Sequence, residues 1–535
     1  MNIKELDIER YKEIKERFSL SSLCAKVLAS KQMSDEEIEE HLQEKVLINP
    51  MLASGMKEVV DCIYLAKVNK EKVLVCGDYD ADGICATTIL VDALNKYGVD
   101  CGFYIPNRFK EGYGLQLHTV TMAHEKGYTL LITVDNGVKA FDALKEAEKL
   151  GLDVIVSDHH SMDEEFPCLY LLHPEHMGDD FSFLSGAGVA LEISRALLGE
   201  IKEHVVLACV ASIGDVMQLR KETRTIVKLG ISYLKQGVCL PVQMLANDRY
   251  PQWDEMMIAF QIVPKLNATG RLADMANANN TVRYLMSSNR DDIMNMSKQI
   301  HNLNDQRKVM SDEMVDVARS LVHDEYRFQL LFHDSFHEGM AGIVAGKLQE
   351  ELHQPVMVVA QSESTFKGSI RSGNLLDLTT FFNDCMKELS AYGGHPAAAG
   401  IGFSYEKKQV IQDYVNNKMK DIEFHEEKIY EVIPVSIDEL SIQEVESLSR
   451  LAPFGNGFEE PLFYLEDVPV ISMKALSQGA HAKWVINDTC EAMYFRCQDA
   501  LTRLADRKQI SFLGNLRVNT FMKRKKVNIF VLEAR

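Results

Sequence analysis

A chain of 535 residues with 46% hydrophobic content is too apolar for a disordered protein and predicts about three or four domains. Its net charge of −20 and pI near 5.3 exclude a broadly cationic nucleic-acid coat, so any nucleic-acid partner requires a local basic groove. Eleven scattered cysteines with no C-x-x-C pair argue against a disulfide framework or a zinc ribbon and predict a reduced, cytoplasmic setting.

The opening run "MNIKELDIERYKEIKERF" is charged and helical in pattern, unlike a signal peptide, and residues 1–55 are expected to form a helical region. No apolar run reaches membrane-spanning length, so no membrane partner is expected. Over 56–275 the runs "KVLVCG", "DCGFYIP", "TLLITVD", "LDVIVSD" and "CLYLLHP" alternate with helix-like stretches. Near-continuous apolar strands separated by helices predict an α/β domain with a parallel sheet covered on both faces. Residues 276–325 read as one long connecting helix whose charges form a solvated face. A smaller α/β domain is expected over 326–405, with "RFQLLFHD" and "QPVMVVAQ" as strands. After a charged linker, 425–535 breaks into short strands that predict a small β-barrel.

Three of the predicted strands end in acidic residues. They are "VLVCGDYDAD" with Asp78, Asp80 and Asp82, "LITVDNG" with Asp135, and "VIVSDHH" with Asp158, His159 and His160. In an open parallel sheet the carboxyl ends of the strands share one crevice, which brings these residues together. A single Asp after a strand most simply caps the next helix. An alternating trio exceeds what a cap needs, and buried carboxylates repel one another and resist leaving water. Two divalent cations would resolve this, held by carboxylates and one imidazole with Asp135 bridging. Oxygen-rich ligation without thiolate favours Mn²⁺ or Mg²⁺. Such a pair suits hydrolysis at phosphorus.

The motifs "DYDADG", "DNG" and "SDHH" resemble the first three of the DHH phosphoesterase superfamily, and "ASIGDVMQL" resembles the fourth, which adds Asp215. "GGHPAAAG" is similar to the signature loop of the DHH-associated domain. "YIPNRFKEGYGL", "LSGAGVA", "VPKLNATGRLADM", "FHEGMAGIVAGKL", "GSIRS" and "PFGNGFEEPLF" narrow the likeness to single-strand-specific exonucleases of that superfamily. The resemblance spans about Val73 to the C-terminus. It implies Asp78 and Asp80 on one metal, Asp82, His159 and Asp215 on the other, and Asp135 between them. Asp158 would orient the metal-binding imidazole of His159, and His160 would face the scissile phosphate.

Arg108, Arg271, Arg371 and His395 stand in family-like segments and are expected to meet phosphates, as guanidinium suits bidentate contact. His337, Ser372 and the base-stacking candidate Tyr113 join them. The barrel resembles an oligonucleotide-binding fold, and "KRKK" (Lys523, Arg524, Lys525, Lys526) is read either as a charged hairpin tip or as a basic handle for the strand. Departures from the family pattern fall at Thr223, at Phe521 and in "AHAKW", Ala480–Trp484. They bear on strand affinity and leave the acidic set whole.

The expected activity is 5′-to-3′ hydrolysis of single-stranded DNA in repair and recombination, with a single-strand-binding protein or helicase as partner. A short-oligonucleotide or cyclic-dinucleotide phosphodiesterase shares the core but has no use for a strand-tracking barrel. A non-catalytic replication scaffold would leave so many buried carboxylates uncompensated.

Overall fold

The strand Leu130–Val134 is buried at every position, as expected of a strand apolar on both faces. It is the middle strand of a five-stranded parallel sheet ordered Asp100–Tyr104, Lys72–Cys76, Leu130–Val134, Asp153–Ser157 and Tyr170–Leu172. The chain crosses to the other side of the sheet between Lys72–Cys76 and Leu130–Val134, and the crevice at such a switch point is where ligands bind. Three helices, Ala81–Tyr97, Gly186–Leu198 and Lys202–Gly214, pack on one another beside the sheet. The computed structural model describes all residues except 1, 4–5, 44–45, 163–169, 248–251, 363–364, 424–430, 498–502, 506 and 522–523.

The 31-residue helix Arg290–Ser320 begins at Asn289, whose side chain accepts from the Asp291 and Asp292 N–H groups at 2.9 and 3.3 Å. Beside the solvated face that the charge pattern predicts, Ile293, Ile300, Asn304, Met314 and Ala318 form a buried stripe. The helix leads to a second sheet ordered Ala391–His395, Ala398–Ser404, Thr365–Arg371, Val356–Ser362 and Gln329–Phe332, parallel only in its last pair. Both sheets belong to one compact unit, Ile48–Met217 with Lys221–Glu427. At its start the Ile48 N–H donates to Glu222 at 2.9 Å and the Ile48 carbonyl accepts from Arg195 at 2.7 Å. Arg195 also pairs with Glu192 at 2.6 Å and Glu222 at 3.2 Å.

The second unit joins Met1–Leu47 and Gln218–Arg220 to Lys428–Arg535. Its eight strands run Asn2–Ile3, Glu431–Pro434, Leu462–Pro469, Gln509–Phe521, Arg524–Ala534, Cys490–Phe495, His481–Val485 and Ser472–Leu476. The helices Ile8–Arg17, Ser22–Ser30 and Asp35–Leu42 share the core of this sheet, with Ile14, Leu23 and Leu28 in one cluster with Phe463, Trp484 and Phe512. Glu444 accepts from the Leu23 N–H at 2.9 Å, and the Lys26 ammonium, on a nearly buried side chain, meets Glu439 at 2.6 Å. Among the described residues no helix is long and apolar enough to cross a membrane.

Candidate metal centre

Asp80 is the N-cap of Ala81–Tyr97 and accepts from the Gly83 N–H at 3.0 Å, so one member of the trio does act as a cap. Asp82, one turn into the helix, faces the start of Gly186–Leu198. It accepts from the Ser185 hydroxyl at 3.0 Å and from the Gly186 and Ala187 N–H groups at 2.8 Å each. Asp135 follows Leu130–Val134 with φ +62°, and its N–H donates to the Ser157 carbonyl at 3.0 Å. The next residue ties two strands together, since the Asn136 amide donates to the Cys76 and Val134 carbonyls at 3.1 and 2.9 Å. Glycine is required at Gly186, where a Cβ would stand 2.5 Å from the Asp135 Cβ.

His159 converges on this group. Its Nε2 lies 3.1 Å from Asp135 Oδ1 and 3.5 Å from both Asp82 Oδ2 and Asp215 Oδ2. Asp215 is the C-cap of Lys202–Gly214, the helix end where a carboxylate is electrostatically disfavoured. Ligand atoms of Asp78, Asp80 and Asp135 lie within 4.8 Å of one another, as do those of Asp82, His159 and Asp215. Either triad could hold a cation.

The electrostatics call for one. Asp78, Asp82 and Asp135 are each only 2% exposed. Burial, and then the charges of Asp82, Asp80, Asp78 and Asp215, push the Asp135 carboxyl far above its usual range. Burial followed by Asp80 does the same to Asp78, and burial followed by Asp82 lifts Asp215 to about 8. Asp78 Oδ1, Asp135 Oδ1 and His159 Nε2 are buried without a hydrogen bond from any described group. Orphaned acceptors that repel one another fit a divalent cation, and five carboxylates with one imidazole fit Mn²⁺ or Mg²⁺.

Asp158 stands apart from both triads. Its Oδ1 lies 2.8 Å from His160 Nδ1 and accepts from the His159 and His160 N–H groups at 2.7 and 3.1 Å, while Oδ2 accepts from the Val138 N–H at 3.0 Å. Asp158 therefore orients the ring of His160 and grips His159 only through its backbone. Burial opposes charge on His160, but the Asp158 bond and the nearby carboxylates outweigh it and raise its pKa to about 9. The Tyr113 hydroxyl donates to the Asp135 carbonyl at 2.9 Å and lies 3.3 Å from the His160 ring nitrogens.

Four arginines act on one another as a cluster, and two of them reach the centre, Arg108 acting on Asp78 and Arg271 on Asp80. The Arg108 guanidinium sits 5.2 Å from the Tyr79 ring centre. Arg271, the last residue of helix Val263–Arg271, is brought down to about 10 by burial and then by Arg108, Arg307 and Arg371. Arg371 is lowered by burial and then by Arg108, and donates to Ser369 Oγ and the Ile370 carbonyl at 2.7 and 2.8 Å. Among the described residues none of the four is paired with a carboxylate. Arg307 escapes a reading by pattern, because a charged helix does not announce which charges face a site. Ser185 and Asn136 escape too, though each stands inside a quoted motif.

The other expected contacts differ among themselves. His395 is exposed at the end of Ala391–His395, and His337 Nδ1 accepts from the Gly339 N–H at 3.1 Å. Ser372 is fully buried and donates to the Leu376 carbonyl at 2.8 Å, which makes it a brace of its loop rather than an open contact. In the other unit Lys525 pairs with Glu446 at 2.5 Å and Lys526 pairs with Glu491, while Arg524 is exposed. Those two pairs fit the hairpin-tip reading. Lys523 lies outside the described residues.

Models of the DHH family N-terminal domain, the DHHA1 domain and the RecJ OB domain match residues 72–214, 324–421 and 433–533. Fold and acidic centre together define a metal-dependent phosphodiesterase of the DHH class. The single-stranded-DNA-specific exonuclease RecJ of Bacillus subtilis is 29% identical over 99% of this chain and 70% of its own length. That of Haemophilus influenzae is 27% identical over 91% of this chain and 92% of its own. The chain is thus similar to RecJ exonucleases over most of its length. The fold matches that of RecJ from Thermus thermophilus, crystallised with Mn²⁺, at a TM-score of 0.86 and 24% identity, over 100% of this chain and 78% of that one. A crystal structure of exonuclease RecJ bound to manganese matches at a TM-score of 0.62 and 29% identity, over 70% of this chain and 96% of that one.

Proposed function

We propose that the protein is a single-strand-specific DNA exonuclease that hydrolyses phosphodiester bonds from the 5′ end with two divalent cations. The observation that carries this reading is the pair of acidic triads joined, through Arg108 and Arg271, to a cluster of four arginines without a carboxylate partner, a cation site adjoining an anion site. Asp78, Asp80 and Asp135 would hold one ion, and Asp82, His159 and Asp215 the other, with Asp135 within reach of both sets. Cations held there would supply an activated water and neutralise charge developing at phosphorus. The chain's own groups do the rest. Arg108, Arg271, Arg307 and Arg371 bind phosphates of the strand, with His395 and His337 as further contacts. Tyr113 offers an exposed ring to a base while its hydroxyl steadies His160. His160, kept protonated by Asp158, faces the scissile phosphate and gives its proton to the departing oxygen. The setting is the cytoplasm, in repair and recombination, on strands exposed by a helicase or delivered by a single-strand-binding protein.

The test is purified protein with Mn²⁺ on 5′- and 3′-labelled DNA and RNA strands. Early release of labelled mononucleotide from 5′-labelled DNA alone supports the reading; release from the 3′ end overturns the direction. Asp135→Ala is expected to lower the rate by at least about a thousandfold, ~4 kcal/mol in the barrier. Activity within about tenfold of wild type removes Asp135 from the centre.

A further inference from the structure

The two edges of the second sheet differ in what they border. Ala391–His395, where "GGHPAAAG" begins, is one edge, and Gln329–Phe332 is the other. Near that far edge the helix Lys408–Lys418 buries Ile411 and Val415 in the core. Its turn spacing then sets Lys408, Gln412 and Asn416 in one row, four residues apart. That row, the edge strand and the residues just after Arg290–Ser320 line a cavity of about 220 Å³. At ~30 Å³ per water it has room for about seven waters, which suits one nucleobase and not a strand.

The Lys408 ammonium lies 4.4 Å from the Phe332 ring centre and, among the described residues, is paired with no carboxylate. Gln412 and Asn416 are half-buried, and among the described residues their side chains make no hydrogen bond. Two amides, each a donor beside an acceptor, are therefore open to a ligand. The opposite wall is braced in advance. Gln329, 2% exposed, accepts from the His323 N–H at 3.2 Å and donates to the His323 and Tyr326 carbonyls at 2.9 and 2.7 Å. This holds the His323 and Tyr326 rings edge to face, 6.0 Å apart. Among the described residues no aspartate or glutamate lines the cavity, on a chain that has 78 of them. A cation without a partner, flat rings and open amides together fit an anion that carries a polar ring.

We propose that this cavity is a second nucleotide site, taking a nucleoside 5′-monophosphate. The phosphate meets Lys408, the base lies among Phe332, Tyr326 and His323, and Gln412 and Asn416 read the base edge. Amide side chains suit that edge because they match its donors and acceptors in pairs. The site stands at the sheet edge opposite His395 and shares no residue with the metal centre or the arginine cluster. The lining sets the ligand class; that the nucleotide is the enzyme's own product rests on the exonuclease reading. Leu321, the C-cap of Arg290–Ser320, lines the cavity, so an occupant borders the helix that carries Arg307.

The test is fluorescence titration of the full-length protein with 2-aminopurine deoxyriboside 5′-monophosphate in EDTA. A saturating unlabelled thirty-nucleotide DNA strand fills the catalytic cleft without being cut. Lys408→Gln is expected to weaken binding at least about tenfold, the loss of a charge-assisted hydrogen bond. The same variant should bind the deoxyriboside without phosphate as wild type does. Gln412→Ala combined with Asn416→Ala should weaken both ligands. Lys408→Gln should cut dinucleotides with Mn²⁺ at the wild-type rate; a slower rate in the folded variant would place Lys408 in the cleft and overturn the site. No binding by the wild type, or binding by Lys408→Gln within twofold of it, also overturns the site. Inorganic phosphate displacing the probe as well as thymidine monophosphate does would leave an anion site only and overturn the nucleotide assignment. Failure of the wild type to release mononucleotides from DNA overturns the exonuclease reading instead, and the binding result then stands by itself.

Discussion

Asp82 holds two positions at once. Its carboxylate accepts three hydrogen bonds from Ser185, Gly186 and Ala187, and the same group lies 3.5 Å from His159. Asp215 reaches His159 at the same distance but is partly exposed. The two substitutions should therefore separate. Asp82→Asn places an amide NH₂ against an N–H donor and is expected to cost about 1–3 kcal/mol of stability as well as activity. Asp215→Asn should lose metal affinity with little change in the EDTA melting temperature. Thermal melts with and without Mn²⁺, beside activity, check both. The sequence makes Asp82 legible as an acid in a motif, since spacing alone carries that. It does not show that Asp82 braces a helix about a hundred residues away, because hydrogen bonds across the fold leave no period in the chain.

The start of Gly186–Leu198 sits so close to Asp135 that a single methyl group tests the arrangement. Gly186→Ala would put a Cβ 2.5 Å from the Asp135 Cβ and 2.6 Å from its Oδ1. Overpacking of this kind costs about 1–3 kcal/mol, and the displaced carboxylate should lower Mn²⁺ affinity. Isothermal titration with Mn²⁺, alongside circular dichroism, distinguishes a moved ligand from an unfolded domain. Unchanged affinity would show that the two elements can separate freely. At this scale the sequence is most transparent for strands. Five apolar runs predict the five strands of the parallel sheet, most plainly for the inner strand Leu130–Val134, where burial on both faces leaves no other composition. The helix Arg290–Ser320 is the opposite case: its buried stripe includes Ser297, Asn304 and Ser311, polar residues that hide the face from any hydrophobic pattern.

For the molecule as a whole, cation binding and folding should be linked. Mn²⁺ at a hundred times its dissociation constant should stabilise the unit that holds the centre by about 2.7 kcal/mol per site. Calorimetry should show that gain in wild type and not in Asp135→Ala. Proton linkage has the opposite sign at Glu192. Burial raises this carboxyl to about 8 against an ordinary 4.5, with Arg195 opposing and Glu222 adding to the rise. Between those values the native chain keeps a proton that the unfolded chain has lost. The contribution is present below about pH 4.5 and is lost as pH rises through about 8. Glu192→Gln should flatten the fall in urea midpoint between pH 5 and pH 8; an unaltered slope would assign that fall to other groups.

The first 47 residues carry apolar faces at Ile14, Leu23 and Leu28 whose partners, Phe463, Trp484 and Phe512, lie beyond Lys428. Nothing in the sequence signals this pairing, since two amphipathic segments read alike whichever core they join. Its consequence is temporal. During synthesis the early helices emerge about 380 residues ahead of the strands that cover them, which at 5–20 residues per second is about 20–75 s. Through that interval the chain displays greasy helices with no sheet to rest on, while the unit beginning at Ile48 is translated in between. A holding chaperone should engage these helices on ribosome-bound chains stalled short of Lys428 and release them once the last strand has emerged.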